Sequence, residues 1–109
     1  MSNLGAHIDR FAIGLGTGHL RDDQSCEKTV KSALSVGYRH IDTARHYENE
    51  QAIGRSIQQS DVPRDDLFLA TKVHSQDLRA PDVKHSVRQS AERLGVEQID
   101  LVYVHWPAH

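Results

Sequence analysis

A chain of 109 residues is long enough for one domain and no more. With 38% hydrophobic residues, a formal charge of -2 and acids interspersed with bases, it excludes a basic nucleic-acid surface, a charged tail and a wholly disordered chain. No run of residues is long and apolar enough to span a bilayer and MSNLGAHIDRF has no signal-peptide core; Cys26 alone permits no internal disulfide, so a cytoplasmic protein without nucleic-acid or membrane partners is expected.

Four short apolar runs mark the expected strands: FAIGLG at 11–16, RHID at 39–42, LFLATKV at 67–73 and IDLVYVHW at 99–106. In the first gap Cys26, Val30, Ala33, Leu34 and Gly37 fall on one helical stripe, with Asp22, Asp23 and Ser25 as cap-type residues and Gly37 as the stop. The second gap holds a shorter helix beginning near Asn49, with Ala52, Ile53, Ser56 and Ile57 inward, ending before SDVPRDD. The third has Pro81 in its first turn, then Val83, Val87, Ala91 and Leu94 on one face, closed by Gly95. This order predicts βαβαβαβ, an α/β fold with parallel strands and right-handed crossovers. The runs at 67–73 and 99–106 are apolar on both faces, the pattern of strands covered on both sides.

In parallel α/β sheets and barrels, ligands bind at the carboxyl ends of the strands. Alternation puts His40 with Asp42 on one face, Phe68 with Ala70 and Lys72, and Leu101 with Tyr103 and His105. If those faces point inward, Asp42, Lys72 and His105 converge and Tyr47 lies just beyond Asp42. A buried lysine needs a carboxylate partner to stay charged, and Asp42 supplies it. A charged Lys72 beside a phenol favours the phenolate; at about 4 Å and an effective dielectric near 20 the attraction is roughly 4 kcal/mol. Tyr47 then suits a general acid, with neutral His105 orienting a carbonyl oxygen. Taken singly each residue has a structural explanation: a turn pair for Asp42-Thr43, a snorkelling Lys72, a core His105, a Tyr47 packed across a helix start. Only their joint placement speaks for a site.

Two other signals are weaker. GLGTG (Gly14, Gly16, Gly18) lacks the last glycine of a dinucleotide fingerprint, with His19 in its place, and reads as a turn. His40, Asp42 and His105 are metal-ligand types, but the other histidines lack ligand spacing, so no metal is expected. Cys26 reads as core packing.

The segments GLGT, GYRHIDTARHYENE continuing to AIGRSI, LFLATKV and LGVEQIDLVYVHWP together resemble the N-terminal part of an aldo-keto reductase, from Ile13 to Pro107. The resemblance implies a (β/α)8 TIM-type barrel of which residues 1–109 form a single partial domain, the N-terminal half (about β1–β4). It implies reduction of aldehydes or ketones with NADPH, or NADH. A catalytic set of Asp42, Tyr47, Lys72 and His105 is implied, with Thr17 and Asp42 near the nicotinamide end of the cofactor. The family carries an aromatic after GLGT, where this chain has Gly18-His19, and a whole barrel takes about 250 residues. Half a barrel has edge strands and an open inner face, so self-association or aggregation is expected. Two further readings are a half-barrel that only pairs with itself or a complementary half, and a Schiff-base aldolase using Lys72.

Overall fold

The computed structural model describes residues 13–105. Its elements are β1 (Gly14–Gly16), α1 (Asp23–Ser35), β2 (His40–Asp42), α2 (Glu50–Gln59), β3 (Phe68–Val73), α3 (Ala80–Leu94) and β4 (Leu101–Val104). The strands form one parallel sheet in the order β1-β2-β3-β4. This is the expected βαβαβαβ winding. Phe11, Ala12 and Trp106 of the expected strands lie outside the described residues.

Each helix can be traced to its sequence signals. The Asp22 carboxylate caps α1 by accepting from the Ser25 N–H at 2.9 Å, and Cys26, Val30, Ala33 and Leu34 are its buried stripe. Gly37 follows the helix at φ +109°, a left-handed geometry that other residues resist, but it is exposed rather than part of the stripe. Burial, with Asp23 and Glu27 nearby, pushes the Cys26 thiol up to about 11, in keeping with a packing role. In α2 the four expected residues are buried together with Glu50 and Gly54. Helix α3 carries a proline in its first turn and ends at Gly95, φ +71°.

The buried face of α3 differs from the expected one. Leu94 is buried as expected, but with Ser86 and Ser90, while Val83, Val87 and Ala91 are only half-buried. The reason is the carboxylate of Glu50, which is 2% exposed. It accepts from Arg93 Nε at 2.8 Å and Ser90 Oγ at 3.1 Å, and from Thr71 Oγ1 at 2.7 Å. A buried charge must be paired and hydrogen-bonded, so its donors turn toward α2 and the valine edge turns aside.

Between sheet and helices lies a core that includes Val30, Leu34, Ile41, Ile53, Ile57, Leu69 and Leu94. Strand β3 is covered as expected, but in β4 Leu101 is 45% and Val104 46% exposed. Among the described residues β4 is the last strand of the sheet and is paired on one side only. Among the described residues no helix is long and apolar enough to cross a membrane.

Helices α2 and α3 meet at Gly54, where a Cβ would lie 2.6 Å from the Arg93 carbonyl oxygen and 2.8 Å from the Leu94 backbone. Overpacking of this kind costs about 1–3 kcal/mol, against the gain of about 1 kcal/mol for alanine over glycine in a helix. Gly54→Ala is therefore expected to lower the urea midpoint; a raised midpoint would contradict this contact.

Candidate active site

The sheet register builds the inner face in layers. Gly14, His40 and Phe68 are neighbours in the lowest, where a Cβ on Gly14 would come within 2.7 Å of His40 Nδ1 and the His40 and Phe68 rings meet edge-on at 5.0 Å. The next layer is Gly16, Asp42, Ala70 and Leu101. Above it Lys72 pairs with Tyr103. Asp42 thus stands between a glycine and an alanine, whose small side chains leave room for long ones from the layer above.

Lys72 fills that room. Its ammonium donates to Asp42 Oδ1 at 2.7 Å, to the Thr43 carbonyl at 3.2 Å and to the Tyr47 hydroxyl oxygen at 3.3 Å. All three donors of the lysine are committed. The Lys72 and Asp42 side chains are 13% and 30% exposed, so the pair is shielded but open to one side. Burial works against the cation, but hydrogen bonds to Asp42 and Tyr47, the charge of Asp42 and the Tyr103 hydroxyl outweigh it and raise the Lys72 pKa above 10.5. An ammonium held charged in this way does not suit the neutral amine that a Schiff base requires.

Tyr47 comes from the 3-10 turn Arg45–Tyr47, which follows β2 directly. Its exit is tight, with Glu48 at φ 59°. Arg45 is tied down by an ion pair with Asp77, and Arg21 Nη1 donates to the His46 and Tyr47 carbonyls at 3.3 and 3.4 Å. Below, buried Asn49 donates to the carbonyls of Thr17 and Leu20 at 2.9 and 3.0 Å and accepts from Thr43 Oγ1 at 2.7 Å. Gly18 lets the phenol approach: a Cβ there would sit 3.2 Å from Tyr47 Cζ. Most of GLGTG, expected as a turn, is instead strand β1, and the turn begins only at Gly18, where the tyrosine ring is accepted.

His105 follows β4, its backbone N–H donating to the Val73 carbonyl at 3.1 Å. Its ring stands edge-on to that of Tyr47, centroids 5.3 Å apart at 87°. Burial, the Lys72 charge and the neighbouring His46 and His74 lower its pKa below 6.5, against the pull of Asp42. The ring centroids of His46 lie 5.6 Å from His105 and 5.5 Å from His74, forming an imidazole row beside Tyr47.

The four residues expected together are together. Thr17 stands beside them but is fully buried, its N–H and Oγ1 both donating to the Asp42 carbonyl at 3.1 and 3.0 Å. A fifth residue joins them: Tyr103, on the inward face with His105 by alternation but not among the expected site residues, donates its hydroxyl to Asp42 Oδ2 at 2.6 Å. Asn49 and the pair His46 and His74 were likewise not among the expected site residues. Asn49 carried little local signal, because the two carbonyls it donates to lie 29 and 32 positions away.

Residues 12–109 match the model of the aldo/keto reductase family. The chain is 49% identical over 96 residues to an aldo-keto reductase of Mycolicibacterium vanbaalenii, covering 88% of this chain and 34% of the relative. It is 43% identical over 106 residues to glycerol 2-dehydrogenase (NADP(+)) of Saccharomyces cerevisiae, covering 97% of this chain and 32% of that protein. A methylglyoxal reductase of Salmonella typhi is 41% identical over 97 residues, covering 89% of this chain and 36% of its own length. Among solved structures, an aldo/keto reductase from Brucella melitensis superimposes with a TM-score of 0.81 at 36% identity, over 86% of this chain and 36% of its own. The chain spans about a third of the length of these relatives, and its sheet is the corresponding part of their (β/α)8 barrel. It belongs to the aldo/keto reductase family.

Proposed function

We propose that this chain carries the proton-handling centre of a reductase that converts small aldehydes or ketones to alcohols at the expense of NADPH, with NADH as the second choice of cofactor. The observation that carries this reading is the third N–H of Lys72, which reaches the Tyr47 phenol oxygen from an ammonium held charged by Asp42. NADPH, when bound, would supply the hydride for the carbonyl carbon. The residues of this chain supply the proton: Tyr47 gives its hydroxyl proton to the carbonyl oxygen, and Lys72 stabilises the phenolate left behind. Asp42 keeps Lys72 cationic at no cost in net charge. His105, neutral at physiological pH, helps hold the carbonyl oxygen beside Tyr47. The sum is a carbonyl, a hydride and a proton giving an alcohol.

The nicotinamide end of the cofactor fits this chain. Asp42 is open on one side, and beside it a Cβ on Gly16 would meet nothing within 4 Å. We assign that end to Asp42 and to the loop carrying Thr17, with Thr17 acting through its hold on the Asp42 backbone. The NADP(+) in the name of the yeast relative favours NADPH, and the methylglyoxal reductase favours a small carbonyl substrate. A cytoplasmic setting accords with such chemistry.

The aligned third of the relatives leaves the β4 edge, with Leu101 and Val104, without a neighbouring strand among the described residues. The chain on its own is therefore expected to self-associate through this face. A compact monomer in sedimentation at all concentrations would contradict that.

With NADPH and a small aldehyde, Tyr47→Phe is expected to reduce kcat about 10²–10⁴-fold with a much smaller change in KM. Full activity in the variant would overturn the assignment. If the pure folded chain oxidises no NADPH, family membership stands and the activity of this chain falls. A second expectation needs no turnover: by NMR the His105 ring titrates below 6.5, since burial and Lys72 both favour its neutral form. A midpoint at or above 6.5 would contradict that balance of burial and charge around the ring.

A further inference from the structure

Asp42 has two oxygens, and Lys72 holds only Oδ1. The other accepts the Tyr103 hydroxyl at 2.6 Å, within the short range of a charge-assisted O–H···O⁻ bond. We propose that Tyr103 is a positioning residue of this site, its hydroxyl fixing the second oxygen of Asp42 so that the Lys72 ammonium keeps its remaining N–H on Tyr47.

The setting of Asp42 makes such a donor necessary. Its neighbours across the sheet on either side are Gly16 and Ala70, too small to clamp a carboxylate by packing. The terminal torsion of an aspartate is broad, so a carboxylate held through one oxygen swings. A swinging Asp42 would draw the ammonium with it, because the Asp42 contact is the shortest of the three that Lys72 makes. Held at both oxygens, the carboxylate has one orientation, and Lys72 inherits it. Tyr103 stands directly opposite Lys72 in the β3–β4 register, so the same strand pair presents both donors. Its ring lies 5.0 Å from Lys72 Nζ, the same distance as the Tyr47 ring, giving the ammonium two aromatic faces.

The two phenols are thereby set to different tasks. Tyr103 donates a hydrogen bond to Asp42 while keeping its proton, and burial together with that carboxylate raises its pKa above 10. Losing the proton would set a phenolate against a carboxylate, so Tyr103 remains a fixed donor. The Tyr47 oxygen accepts from Lys72 and keeps its own proton for a substrate. Tyr103 touches none of the reacting atoms and acts through Asp42 and Lys72.

This inference rests on the reductase reading of the site, but its test does not need turnover. In the full chain, hydrogen exchange of the Lys72 ammonium and the Tyr103 hydroxyl proton are followed by NMR. Tyr103→Phe keeps the ring and removes the donor; it is expected to speed Lys72 ammonium exchange about tenfold while the sheet amide spectrum stays unchanged. Asp42→Asn keeps both tyrosines and removes the charge, and is expected to shift the Tyr103 hydroxyl signal upfield and broaden it by exchange. An unchanged Lys72 exchange rate in Tyr103→Phe, or an unmoved Tyr103 hydroxyl signal in Asp42→Asn, would reduce Tyr103 to packing and overturn the proposal. Where the chain turns over, Tyr103→Phe is expected to lower kcat with KM retained, and an unchanged kcat counts against it. A chain that reduces no carbonyl yet gives the expected exchange rates sinks the reductase reading alone.

Discussion

The ion pair between Lys72 and Asp42 is the constraint around which this molecule is arranged. A lysine 13% exposed on the inner face of a sheet is costly unless a carboxylate meets it and every N–H finds an acceptor. Meeting those conditions fixes much else. Asp42 must end β2 at the height where Lys72 ends its reach, so Gly16 and Ala70 stay small beside it. The Thr43 carbonyl must turn inward, and the Asn49 clip holds the Thr43 side chain in place. The third N–H then goes to the Tyr47 oxygen.

A second buried charge does comparable work on the outer side of the sheet. Glu50 draws Thr71, Ser90 and Arg93 to itself, tying β3 and α3 to α2. The outer network holds the helices against the strands, and the inner one holds the strand ends to each other. Thr71 and Lys72 are consecutive on β3 and point to opposite faces, so one strand serves both networks. The cost falls on the rim: β4, anchored below by Asp100 Oδ2 accepting the Leu69 N–H at 2.7 Å and above by His105, keeps Leu101 and Val104 exposed.

What the sequence made legible follows physical range. Caps, glycine stops and helix stripes are local: the Asp22 cap, the stripes of α1 up to Leu34 and of α2, and the stops at Gly37 and Gly95 came through. Period-two alternation also sufficed to put Asp42, Lys72 and His105 on one inner face. The misses came where long-range polar pairing overrode local pattern. Val83, Val87 and Ala91 form an apolar stripe, but a buried glutamate 40 positions from Ser90 decided which face of α3 turns inward. Tyr103 looked like one more aromatic in an apolar strand, because its partner Asp42 lies 61 positions earlier. The fold class and family were legible because the motifs that carry them are long; the hydrogen-bond partners within the site were not.

The claim that one ion pair organises the three strand ends is tested most directly by a double-mutant cycle on Asp42→Asn and Lys72→Met, read from urea unfolding. Each single change strands a partner in a shielded place, whereas the double change removes both charges together. The account predicts that the double variant is more stable than the sum of the two losses by at least about 1 kcal/mol. Losses that simply add would mean that the pair is a surface contact, with the strand ends held by something else.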